Sequence, residues 1–235
     1  MFGIHPGAAH VAAGSSRGSE SPAGLQPPWS TGGRGLLWRR LPIPFALSGS
    51  LARLRERLAH SDPSAELEDS LVWAAVAIIL APDPDALLLI RRAERLGDPW
   101  SGHMALPGGR REPGDPDLLT TSIREVAEEV GIELTPAELA GTLEDVVPRT
   151  PVLPPIAVRP FVFLRDSRPV VTLNPEATFA TWAPLARLLQ PDTHHLVRLE
   201  VSGTNRLVQA YELADGIVWG MTERILTQLL NNLQH

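Results

Sequence analysis

Three glutamates, Glu125, Glu128 and Glu129, fall at i, i+3 and i+4 within SIREVAEEVGI. That spacing projects all three carboxylates from one face of a helix. Like charges held so close repel one another, and the usual resolution is a divalent cation. Oxygen ligands with neither Cys nor His beside them favour Mg2+ or Mn2+. Arg124 stands four residues before Glu128, within reach of a carboxylate whose rotamer it would fix. Upstream, Gly108 and Gly109 in LPGGRREPGDPD permit a tight backbone turn that would let a main-chain carbonyl join a metal shell. In isolation, EVAEE reads as the solvated acidic face of an ordinary amphipathic helix; the glycine turn and the arginine beside it shift the reading towards chemistry.

These residues need a helix and a sheet to position them. The helix is predicted over Asp117 to Val130, with Gly131 as its natural stop. Leu118, Leu119, Ile123, Val126 and Val130 would face the sheet and leave the acids outward. Before it, the apolar runs Val72 to Leu80 and Leu87 to Ile90 read as two strands joined by the turn-rich APDPDA. After it, the apolar segments 139–147, 156–164, 177–182, 197–201 and 207–211, each bounded by turn formers, read as further strands of a mixed sheet. SGSLARLRERLAH over residues 48–60 sets Leu51, Leu54 and Leu58 on one helical face, with Ser48 or Ser50 as cap. Ile225, Leu226, Leu229 and Leu230 repeat at helical spacing within Met221 to Leu233. Residues 1–45 are rich in Gly, Ser, Pro and Ala and are expected to be a disordered tail, whose Pro and Gly content argues against a targeting helix. Residues 46–235 then form one domain, with its core over 70–233.

Composition narrows the chemistry. The 235 residues carry a formal net charge of −6, which argues against a sequence-independent nucleic-acid binder. Every basic residue other than His is Arg, a pattern consistent with codon bias in a GC-rich genome. There is no Cys, so disulfides, zinc-thiolate sites and thiol nucleophiles are excluded. No apolar run approaches the roughly 20 residues that span a bilayer; the expectation is a cytoplasmic protein with no membrane partner.

Gly109, Asp115 and the run Arg124-Glu125-Val126-Ala127-Glu128-Glu129-Val130-Gly131-Ile132 resemble the Nudix box, G-x5-E-x7-R-E-U-x-E-E-x-G-U, where U is aliphatic. The second half matches at every position. The first half departs twice: Asp115 stands where Glu is expected, and eight residues rather than seven separate it from Arg124. The resemblance implies an α/β fold, a Nudix-type α/β/α sandwich with a mixed sheet. It also implies metal-dependent hydrolysis of a nucleoside diphosphate linked to another group, with Glu125, Glu128 and Glu129 on the metal and Arg124 orienting them. A further acid often serves as base or extra ligand, and Glu144, Asp145 and Glu176 are candidates; Asp115 and Glu112 are left without a firm role.

A wider resemblance, over residues 70 to 233, is to the coenzyme A diphosphatase branch. It rests on LLIRRA (Leu88 to Ala93), Gly102, LPGG (Leu106 to Gly109), NPEATFATWAPL (Asn174 to Leu185) and YELADGIVWGMTERILTQLL (Tyr211 to Leu230). It implies coenzyme A or a derivative as substrate and Arg92, Arg95, Gly108 and Gly109 as substrate contacts. The branch motif departs at Asp98, where an anion-gripping Arg is expected, and at His103, where Gln is common. ADP-ribose, an ADP-sugar or a nucleoside triphosphate is the alternative substrate. A non-catalytic nucleotide sensor is the alternative class, disfavoured because the helix acids are intact. Dimerisation is a family expectation. Trp100 beside the glycine turn reads as packing before substrate contact, the pair His194-His195 as part of a polar loop before metal-binding, and Trp219 as an anchor for the last helix before a dimer contact.

Overall fold

The computed structural model describes residues 47–62, 68, 70–94, 102–148, 156–201 and 203–234. The tail assigned to residues 1–45, and Arg95, Asp98 and Trp100, lie outside these. Strand β1 (Val72–Ala81) is apolar throughout because it is covered on both sides. Its side chains alternate: Ala74, Ile78 and Leu80 enter one core, and Ala75, Ala77 and Ile79 enter the other. Strand β2 (Ala86–Arg92) divides in the same way, Leu87 and Leu89 against Leu88 and Ile90.

The first core is closed by α1 (Gly49–Leu58) and α4 (Gly220–Gln234), which contribute Leu51, Leu54 and Leu58, and Ile225, Leu226, Leu229 and Leu230. Ser48 caps α1, its hydroxyl accepting from the Leu51 amide. The second core is closed by α2 (Leu118–Val130), through Leu118, Val126 and Val130, with Phe161 and Phe163 opposite. Helices thus lie on both faces of the sheet, the α/β/α layering expected.

Strand β6 (Ile156–Leu164) runs parallel to β1 along its full length, and β5 (Leu139–Thr142) pairs antiparallel with β6, so the sheet is mixed. The expected strand over 139–147 is therefore shorter, with Val146 adding only an isolated bridge to Val158. On its other side β2 pairs with β7 (Ala177–Pro184), which leads into the one-turn α3 (Leu185–Leu188).

Strands β1 and β2 touch only at Leu80–Leu87 and Ala81–Ala86, then diverge. The segment between them wedges the gap: β3 (Met104–Ala105) pairs with β2, and β4 (Gly108–Arg110) pairs with β1. A separate three-stranded antiparallel sheet holds β8 (His194–Val201), β9 (Thr204–Leu213) and β10 (Gly216–Trp219) in the order β10-β9-β8. Among the described residues no helix is long and apolar enough to cross a membrane.

Candidate active site

Helix α2 begins where Asp117 accepts from the Thr120 amide and ends at Gly131, whose φ of 66° is the left-handed geometry that glycine tolerates. Its sheet-facing stripe runs through Leu118, Ser122, Val126 and Glu129. The outward placement expected for all three acids is therefore corrected. Glu129, three residues after Val126 on the same face, is 2% exposed; Glu125 is 13% exposed and Glu128, on the solvent side, 55%.

The glycines are also corrected. Gly108 and Gly109 form no turn; they are strand residues opposite Val76 and Ala75. Gly108 has a φ of 148°, and a Cβ there would collide with the Ala75 carbonyl. A Cβ on Gly109 would occupy the space of the Glu125 carboxylate. Two bare backbones let β4 pass between β1 and α2, and the Gly108 amide donates to Glu129 Oε2 at 2.8 Å.

Arg124 is held by Asp115 more than by the helix acids. Nε donates to Oδ1 at 3.1 Å and Nη2 to Oδ2 at 2.9 Å, the two-pronged geometry that fixes a guanidinium plane. Asp115 is itself buried and also accepts from the Glu112 amide and the Thr121 hydroxyl. Burial raises its pKa, but these donors outweigh that effect and hold it below the ordinary range. The same guanidinium reaches Glu125 at 3.0 Å, Glu128 at 3.1 Å and the Arg110 carbonyl at 3.2 Å. Its own pKa is raised, first by the Asp115 bonds. The residue that departs from the box thus anchors the arginine, while the Glu112 side chain is exposed.

Burial pushes Glu129 up to about 7, against the opposing Gly108 bond; Glu125 and Glu176 add repulsion and Arg92 offsets part of it. Glu125 is raised as well, by burial first, with Glu128 and Glu176 contributing and Arg124 opposing. Glu176 comes within range through a chain of backbone bonds. The Thr172 and Asn174 amides donate to the carbonyls of Val130 and Glu129, and the Glu176 carbonyl accepts from Ala93, next to Arg92.

The other candidate acids are engaged elsewhere. Asp145 takes both prongs of the buried Arg159, at 2.9 and 2.8 Å, and Arg159 lies over the Trp73 ring at 5.3 Å. The Glu144 backbone is bonded to Gln228 on α4. His194 stacks on Tyr211 at 4.3 Å between ring centres and bonds Glu223 at 2.8 Å, while His195 meets Glu212. Trp219 packs edge-on to His103 at 4.7 Å. Two clefts of about 240 and about 330 Å³ flank α4 and contain none of the box carboxylates.

Among the described residues no three acidic or imidazole side chains converge on one point, because Glu125 leans on Arg124 and Glu129 on Gly108. The donor set still fits a hard divalent ion. It is all oxygen, and beyond the effect of burial Glu128 raises the pKa of Glu125 and Glu125 that of Glu129, a repulsion that a cation would relieve.

The NUDIX domain model matches residues 71–202, more than half of the chain. A Nudix hydrolase described as NudL, from Photorhabdus laumondii, is 31% identical over 183 residues, which are 77% of this chain and 95% of that one. An uncharacterized protein of Schizosaccharomyces pombe is 37% identical over 130 residues; the match covers 53% of this chain but only 39% of that relative's length. A solved MutT/nudix family protein from Enterococcus faecalis shares the fold at a TM-score of 0.51, with 15% identity, covering 72% of this chain and 64% of that one. The chain belongs to the Nudix family. Its class is that of the Nudix hydrolases, pyrophosphohydrolases that generally use divalent metal ions.

Proposed function

We propose that this protein hydrolyses the diphosphate bond of a nucleoside diphosphate derivative with Mg2+ or Mn2+, and that coenzyme A or a derivative is its substrate. The products would be 4′-phosphopantetheine and 3′,5′-ADP. The observation that carries the reading is the buried Glu129 carboxylate, beside Glu125 and within range of Glu176, whose charges oppose its ionisation.

In this reading Glu125, Glu128 and Glu129 hold the ion. What a divalent ion supplies in such a site is neutralisation of the diphosphate and a more acidic attacking water. The chain does the positioning. Arg124, locked by Asp115, holds Glu125 and Glu128 in place, and the Gly108 amide fixes Glu129. Glu176 is the best placed of the three further acids to accept a proton, because Asp145 is paired with Arg159. Arg92, whose charge reaches Glu129, would meet a substrate phosphate. The coenzyme A assignment rests on the likeness of residues 70 to 233 to that branch. A cytoplasmic homodimer completes the picture.

The test is incubation with Mg2+ or Mn2+ and a panel of coenzyme A, ADP-ribose, NADH and nucleoside triphosphates, with products identified by mass. Cleavage of coenzyme A into its two halves is expected. Turnover of ADP-ribose or a triphosphate alone would overturn the substrate, and tight binding without turnover would overturn catalysis.

A further inference from the structure

Strand β8 has β9 on one side; its other edge is unpaired among the described residues. Such an edge presents a row of backbone donors and acceptors that another strand can complete. Along β8, His194, Leu196, Arg198 and Glu200 share one face, and His195, Val197, Leu199 and Val201 share the other. Arg198 and Glu200 are exposed and lie opposite Leu207 and Asn205 of β9, so neither meets an opposite charge across the ladder. Neither takes part in an ion pair among the described residues. Leu196 and Leu207 are 57% and 60% exposed.

We propose that this edge pairs with β8 of a second copy, antiparallel about a two-fold axis at Leu199, so that Arg198 of each copy faces Glu200 of the other. A two-fold axis normal to the sheet keeps the faces in register, so only residues of like parity can be paired. Centring on Arg198 or on Glu200 sets like charges against each other at the axis. Centring on Leu199 makes two opposite-charge pairs on one face, and on the other it sets Leu199 against its copy and Val197 against Val201. Two three-stranded sheets become one of six strands. The sequence carries no Pro or Lys in β8 to block the edge, and its two charged residues complement their own copies. The pairing rests on the homodimer of the proposed function and gives it an interface; it leaves α2 and its carboxylates uninvolved, so its failure would leave the hydrolase reading standing.

Sedimentation velocity of the full chain, over about 1 to about 200 µM because edge pairing is a small interface, reads the association directly. The wild-type chain should pass from monomer to dimer across that range. R198E and E200R, each of which sets like charges opposite one another on both sides of the axis, should weaken the dimer by more than about tenfold, and R198E/E200R should restore it. A wild-type chain that stays monomeric, a dimer indifferent to the single changes, or a double variant as weak as the singles would overturn the pairing. Hydrogen exchange needs no variant: the outward amides of residues 195–201 should slow as wild-type concentration rises, and concentration-independent exchange would count against it.

Discussion

Gly108 and Glu129 are joined by a 2.8 Å hydrogen bond from the glycine amide to Oε2, which ties the β4 wedge to a carboxylate buried under α2. That carboxylate carries a pH dependence. Its pKa is raised from 4.5 to about 7. A raised carboxylate contributes stability that is present below about pH 4.5 and lost as the pH climbs through about 7. The gap is on the order of 3 kcal/mol. Denaturant unfolding in chelator should show the metal-free protein losing stability between about pH 5 and pH 8, with E129Q flatter and the more stable of the two at pH 8. Equal pH slopes in the two proteins would refute the burial argument.

The paired glycines should separate stability from activity. G108A forces a side chain into a φ of 148° against the Ala75 carbonyl and should cost roughly 2 to 4 kcal/mol. The nearest atoms that G109A meets are those at the carboxylate end of the Glu125 side chain, which can swing away. It should cost under about 1 kcal/mol but lower kcat/KM more than about tenfold. Thermal melts and initial rates on both variants check the contrast.

Asp115 is predicted to act through Arg124. D115N loses charge-assisted bonds to a guanidinium and should destabilise the protein on the order of 2 kcal/mol at pH 7. Because the Asp115 pKa is lowered, its contribution is full above the ordinary value of 3.8 and disappears as the pH falls below it. Stability curves for D115N and wild type should therefore converge in acid. Curves that stay parallel would show that Asp115 does not hold Arg124 as an ion pair.

The further acids divide by their partners. E144Q should be silent, since Glu144 meets Gln228 through its backbone. D145N removes the negative charge from the carboxylate that takes both prongs of the buried Arg159 and should cost about 3 kcal/mol with little change in the pH profile of kcat. E176Q should spare stability and lower kcat. Loss of the acid-side limb of the kcat profile in D145N, with E176Q unaffected, would transfer the proton-accepting role.

Much of this was legible in the residues. The 3.6 period of Leu51, Leu54 and Leu58, and of Ile225, Leu226, Leu229 and Leu230, marks α1 and α4, and Asp117 and Gly131 bracket α2. The outward placement that spacing predicts for Glu129 fails because a carboxylate on an amphipathic helix is normally solvated, whereas here it continues the buried stripe of Ser122 and Val126. The wedge strands β3 and β4, of two and three residues, are too short to show a period. Glycines that signal a turn locally serve as strand where two layers approach closely. The bond between Asp115 and Arg124 is tertiary, and no spacing rule announces it.

In the proposed function the buried carboxylates of α2 hold the ion that drives diphosphate hydrolysis. The Mg2+-dependent rate of coenzyme A cleavage in E129Q against wild type, both folded, reads that role out. The prediction is a fall on the order of 10³-fold, about 4 kcal/mol of transition-state stabilisation, with E128Q, changed at the exposed position, losing less. Full activity in E129Q would contradict it.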